Sequence, residues 1–206
     1  MTEDHVILRW RIHEGTLPLR RRHLRALKTL ELPEPLLGWI HERLEWALLN
    51  MLKDDSEAVL VLDIDPAAEV KLTLEDLRAA PHLCAADIDS QDDLAGDLTV
   101  DLNQGGEKLT GSIWLERDGG LFASTSQIYR ATDTLCYDLA KTLGHEPTVQ
   151  PQTLETVELA IASGNVFFIS DEFGFLPIWP GPDEVDVLTI SPLVEKLRAG
   201  FSKLWR

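Results

Sequence analysis

The chain has 206 residues, 44% hydrophobic and 26% charged, enough apolar material for one sizeable domain or two small ones. Its formal net charge of −16 speaks against a nucleic acid partner, whose phosphates that field repels, and no apolar run approaches the ~18–20 residues that span a bilayer. The opening MTEDHVILRW is acidic where a secretion signal is basic, and Cys84 and Cys136 lack a CxxC pair or a zinc-spaced histidine, so a reduced, cytoplasmic setting without a structural metal is expected.

In chain order, VILRWRI (6–12) carries strand-like apolar content and stops before Gly15. Pro18 precedes a short amphipathic helix on Leu19, Leu24, Leu27 and Leu30. A longer helix follows on Leu36, Leu37, Ile40, Leu44, Leu48, Met51 and Leu52, with Pro35 tolerated in its first turn. AVLVLDID (58–65) is a second strand, bounded by Pro66. A further short helix is expected around 73–80, with Thr73 as N-cap and Asp76 three residues on. These elements make a small α+β lobe, assigned to residues 1–84.

Residues 85–97 form an acidic linker, and 98–206 a second α/β lobe. LTVDL (98–102), 109–116 and 121–124 read as strands, with NQGGEK and RDGG as turns. A helix from about Thr132 to Leu143 ends at Gly144, and TLETVELAIAS is helical to Gly164. NVFFIS is then a buried strand. Ser191 and Pro192 open a closing helix that carries Leu193, Leu197, Phe201 and Leu204 on one side.

Few side-chain groupings carry chemistry. The acidic linker does not form a calcium loop: counted from Asp87, the sixth position needs glycine and holds Asp92, and the twelfth needs glutamate and holds Leu98. The six histidines are scattered without metal-ligand spacing, and neither GxSxG nor a P-loop occurs. The run RRRHLR places Arg21 and Arg25 on one helix face, and Arg22 and Arg25 on a neighbouring one. Arg21, Arg22 and Arg25 are either a solvated face or a site for an anion or an acidic partner.

The stretch from Gly111 to Ile178 runs GSIWLERDGGLFAS through QIYRATDTLCYDLAKTLGHEPTVQPQTLETVELAIASGNVFFISDEFGFLPI. It reads as a strand, an Asp-Gly turn, a second strand, a glycine-closed helix, a shorter helix and a final strand ending at a proline. In that order and wording it resembles the C-terminal half of the class IV (fold type IV) pyridoxal-phosphate (PLP) aminotransferases and aminodeoxychorismate lyases. ILRWRIHEGTLPLRRRHLRALKTLELP is similar to the same family's opening strand, glycine turn and first helix. The resemblance implies an α+β protein with a truncated D-amino-acid aminotransferase-like fold, two α/β lobes with any site in the cleft between them, and a homodimer. Trp39, Trp46, Trp179 and Trp205 are available as interface anchors.

The resemblance also implies PLP chemistry, which needs a lysine for the aldimine, a carboxylate at the pyridine nitrogen and donors for the phosphate. Here no lysine occurs from Leu72 through Glu107, and Lys108 is the one nearby candidate. Glu107 stands where the family keeps its pyridine carboxylate, with Ser112 in place of the following asparagine. The family's first-helix phosphate arginine reads Ala26, and its G-I-T-R phosphate turn reads Gln127-Ile128-Tyr129-Arg130, which loses the glycine and the threonine and keeps Arg130. A Ser/Thr pair that faces the phosphate falls at Asp171 and Glu172. The expectation is a degenerate scaffold without PLP that serves in binding or assembly. The alternative is an active aminotransferase or lyase that uses Lys108, with Glu107 and Arg130 on the cofactor.

Overall fold

The computed structural model describes residues 6–52, 57–65, 69–88, 99–102, 107–124, 130–150, 152–181 and 190–205, with backbone alone at 99–102, 107, 108 and 154. The chain is α+β and forms two compact units, one built on the first 79 residues and one that begins at Ala80.

In the first unit, β1 (Val6–Ile12), β2 (Ala58–Ile64) and β3 (Val70–Asp76) form an antiparallel sheet in the order β1-β2-β3. Leu8, Trp10 and Ile12 alternate inward on β1 and meet Leu60, Leu62 and Ile64 of central β2. The intervening Arg9 and Arg11 point outward and pair with Glu75 and Glu57. Helices α1 (Arg20–Leu27) and α2 (Glu34–Asn50) close this core with Leu27, Ile40 and Leu44. Pro35 lies in the first turn of α2, where its missing N–H removes no helical hydrogen bond.

The helix expected around 73–80 is not formed. Val70, Leu72 and Leu74 alternate with Lys71, Thr73 and Glu75, which is the period of a strand. They register with Ile64, Leu62 and Leu60 across β2. Pairing to the central strand thus overrides the cap-like spacing of Thr73 and Asp76.

The second unit is built on a six-stranded sheet in the order β4-β11-β10-β7-β8-β9. Its strands are β4 (Leu83–Cys84), β7 (Ser112–Arg117), β8 (Gly120–Ala123), β9 (Thr148–Val149), β10 (Val166–Ser170) and β11 (Gly174–Trp179). All pairings are antiparallel except the two at the edges, β4 with β11 and β8 with β9. A separate two-stranded sheet pairs β5 (Thr99–Leu102) with β6 (Glu107–Thr110). The strand expected over 109–116 therefore breaks at Gly111 into β6 and β7.

VFFIS of β10 is buried along its whole length because helices cover both faces of the sheet. One face sets Ile113, Leu115, Val166 and Phe168 against Val157 and Ile161 of α4 (Leu154–Ile161). The other stacks Trp114 on Phe167 at 6.2 Å and Phe167 on Phe175 at 4.3 Å. There α3 (Ala131–Thr142) brings Tyr137 to Trp114, and α5 (Pro192–Leu204) brings Phe201 to Phe175. The expected ends hold. Gly144 and Gly164 take the positive φ that follows a helix, Asp118 and Gly119 form the β7–β8 turn, and the Ser191 hydroxyl accepts from Val194 N at 3.2 Å.

Candidate functional site

The first turn of α3 leaves backbone N–H groups without intrahelical acceptors, and the helix dipole favours an anion there. The sequence supplies that anion from 39 residues downstream. The turn between β10 and β11 presents Asp171, whose Oδ1 accepts from Thr132 N at 2.9 Å and from the Thr132 hydroxyl at 2.6 Å. Thr132, Asp171 and the adjacent Glu172 are all buried. The turn is held from within: the Ser170 hydroxyl accepts from Glu172 N at 3.1 Å, and Gly174 closes it at positive φ.

One residue along α3, Asp133 joins a second buried group. Its Oδ1 accepts from the Ser112 hydroxyl and, at 3.1 Å, from the Trp114 indole N–H, which also reaches Ser112 Oγ at 3.0 Å. The Ser124 hydroxyl accepts from Ile113 N at 3.2 Å alongside. Ser112, expected to replace a family asparagine at the cofactor, is thus fully buried and tied to Asp133 and Trp114.

Other expected residues are placed as follows. Glu107 and Lys108 open β6, where Lys108 registers with Asp101, and their side chains lie outside the described residues. So do Gln127, Ile128 and Tyr129 and the acidic linker from Asp89 to Asp97. Arg130 is buried immediately before α3. Ala26 is buried on α1 beside Leu27, facing the core of the first unit.

The arginine run divides by helix face. Arg21 and Arg25, four residues apart, line an open groove of about 1180 Å³ beside α1 and α2. Arg22 does not line it, because one residue along a helix turns the side chain by about 100°. Lys28 and His41, absent from the sequence-based set, do line it. The seven-residue interval from Arg21 to Lys28 carried that information for the lysine, whereas His41 is brought in only by the packing of α2.

No helix among the described residues is long and apolar enough to cross a membrane. On the outer face of α2, Trp39 and Trp46 are exposed, with the Arg43 guanidinium at 5.6 Å and 6.0 Å from their ring centres.

The fold is that of the class IV PLP enzymes. The chain is similar to the 4-amino-4-deoxychorismate lyase of Pseudomonas aeruginosa, with 16% identity, a TM-score of 0.64, and 98% of this chain and 91% of that one covered. It is similar to the branched-chain amino acid aminotransferase of Escherichia coli, with 17% identity, a TM-score of 0.60, and 98% and 85% covered. It is also similar to a hypothetical aminotransferase of Mycobacterium tuberculosis in its PLP-bound form, at 15% identity, a TM-score of 0.60, and 98% and 90% covered. No family model matches the sequence, and no curated protein matches it at a significant level.

Proposed function

We propose that this chain keeps the scaffold of the class IV PLP enzymes without their catalysis and acts as a binding or assembly protein. The observation that carries this reading is the bond from Asp171 to the first turn of α3. In the resembled family the G-I-T-R turn, which falls here at Gln127 to Arg130 just before α3, and the Ser/Thr pair, which falls at Asp171 and Glu172, face the cofactor phosphate. Here the amide and hydroxyl of Thr132 are both engaged by a carboxylate of the chain itself. A phosphate dianion brought beside Asp171 meets like charge, at roughly 4 kcal/mol per pair of unit charges 4 Å apart where the effective dielectric constant is near 20. These residues do not fit the cofactor. The lysine-free interval from Leu72 through Glu107 agrees with this reading.

The test is borohydride reduction after incubation with pyridoxal phosphate, followed by intact-mass measurement. The expected result is no stoichiometric lysine adduct. A stoichiometric adduct that disappears in Lys108→Ala would establish the alternative, an active aminotransferase or lyase with an atypical lysine.

We also propose that the protein is a homodimer, supported by the exposed Trp39–Arg43–Trp46 face of α2, since tryptophan and arginine are enriched among interface anchors. Light scattering should give a dimer mass that falls to a monomer in Trp46→Glu. A monomer mass for the unaltered chain at high concentration ends this reading.

A further inference from the structure

We infer that the groove between α1 and α2 is a binding site for a small amphiphilic anion, with a carboxylate or phosphate head and an apolar body. The site lies wholly within the first unit, and Ala26, the position the resemblance assigns to cofactor phosphate, does not line it. It stands whether or not the chain binds pyridoxal phosphate.

Charge is the first support. Arg21, Arg25 and Lys28 follow one another at intervals of four and three residues, which stacks them along one helix face. Among the described residues no carboxylate pairs with any of the three, and the Arg25 side chain is steadied by donating Nε–H to Arg21 O at 3.3 Å. The groove also carries Glu34, leaving a local excess of positive charge on a protein whose net charge is −16. A basic strip on so acidic a surface attracts anions locally, while the remaining field disfavours extended polyanions. Two guanidinium groups side by side suit the planar, bidentate recognition of carboxylate or phosphate.

The second support is the apolar wall beneath the cations. Leu24, Leu27, Leu37 and Pro35 line the groove together with the charged rim. Concave sites that join apolar walls to a few placed polar groups are the usual form of small-molecule pockets. Inorganic phosphate alone would leave that wall unused.

Gly38 supplies an independent observation. It sits inside α2, where glycine is less favourable than alanine by roughly 1 kcal/mol. A Cβ built there meets nothing within 4 Å, so no neighbour in the fold requires a glycine. Gly38 lines the groove, and its missing side chain leaves room for a ligand to approach the helix backbone.

The experiment uses the full chain and isothermal titration calorimetry with decyl phosphate, decanoate, decanol and inorganic phosphate. Decyl phosphate and decanoate should bind at one site, with decanol and inorganic phosphate at least tenfold weaker. Arg21→Ala with Arg25→Ala should weaken decyl phosphate at least tenfold. Gly38→Leu should do the same by filling the groove, with circular dichroism confirming that each variant is folded. Gly38→Ala, which improves helix propensity, should keep or raise the melting temperature while weakening binding.

Equal binding of decanol removes the role of charge, and equal binding of inorganic phosphate removes the role of the apolar wall; either result overturns the assignment. Undiminished binding in folded Gly38→Leu places the ligand elsewhere and overturns it too. So does the failure of every probe, or selective binding of an acidic amphipathic peptide in their place. None of these outcomes bears on lysine adduct formation, so the groove and the loss of cofactor are decided separately.

Discussion

Asp171 closes the N-terminus of α3 by accepting two hydrogen bonds from Thr132, one from the amide at 2.9 Å and one from the hydroxyl at 2.6 Å. A buried carboxylate beside another acidic residue is costly unless its charge is compensated, and the helix terminus compensates it. The same bond secures the β10–β11 turn to α3. Asp171→Ala leaves a buried amide and hydroxyl without this acceptor and should lower the unfolding free energy by roughly 1–3 kcal/mol. Asp171→Asn should cost less, because its amide oxygen still accepts. Denaturant melts of the two variants decide the matter, and an unchanged midpoint for Asp171→Ala would show that the bond contributes nothing.

Gly111 separates β6 from β7 at a point where the chain runs against β10. A Cβ there would come within 2.1 Å of Phe168 Cζ and 2.4 Å of the Ile169 carbonyl oxygen. Both neighbours are fully buried, and the carbonyl belongs to the backbone, so neither yields cheaply. Gly111→Ala should destabilise by roughly 1–3 kcal/mol through overpacking, read as a lower melting temperature. A variant as stable as the parent would mean that β7 and β10 separate more readily than their packing suggests.

Local pattern accounts for what the sequence revealed of this fold. The 3.6-residue periodicity of α2, the Gly144 and Gly164 stops and the apolar run of β10 are each set by a few consecutive residues, and each was legible. Residues 70–76 misled because a threonine followed by an acid three residues later imitates a helix cap, while pairing with β2 is a long-range fact. The sequence over β10 and β11 reads as a single final strand ending at a proline, since Asp171-Glu172-Phe173 lacks a conventional two-residue turn signal, whereas the chain forms a hairpin there. The site shows the same division. Acids at 171 and 172 were visible in the sequence, yet the partner that stabilises Asp171 lies 39 residues away. Arg21 and Arg25 were found by spacing, whereas the groove that gives them an apolar neighbour needs α2 packed beside α1.

Glu57 gathers three donors on the edge of the first unit: Arg11 at 3.1 Å, the Glu14 amide at 3.2 Å and His13 Nδ1 at 2.5 Å. Burial pushes its carboxyl up, but the Arg11, Glu14 and His13 hydrogen bonds and the Arg11 charge together hold it below the ordinary carboxylate value. A carboxyl lowered in the folded state contributes stability above its unfolded value of about 4.3, and that contribution is lost as pH falls through the lower folded value. The side chain is 38% exposed, so solvent screening limits the contribution to about 1 kcal/mol or less. Glu57→Gln should therefore lower stability at neutral pH by about 1 kcal/mol or less, leave it unchanged at low pH, and so flatten the acid limb of the stability curve. An acid limb that keeps its slope would assign this region's acid sensitivity to other carboxyls.

Cys136 lies on the buried side of α3, and burial, with Asp133 close by, drives its thiol well above the ordinary range. Cys84 is raised as well, by burial and then by its Sγ–H donation to Asp87 at 3.1 Å. Alkylation requires the thiolate, so near neutral pH Cys136 should resist iodoacetamide until the protein unfolds, and Cys84 should react slowly. Both should react fully in denaturant, as counted by intact mass. Because these folded thiols hold their protons more tightly than unfolded ones, stability is present below the unfolded value of about 8.5 and declines as pH rises beyond it. Cys136→Ala should reduce that alkaline decline while losing some packing in the second unit. Rapid labelling of Cys136 in the native protein would show that α3 opens from the sheet far more often than its buried contacts with Trp114 and Asp171 allow.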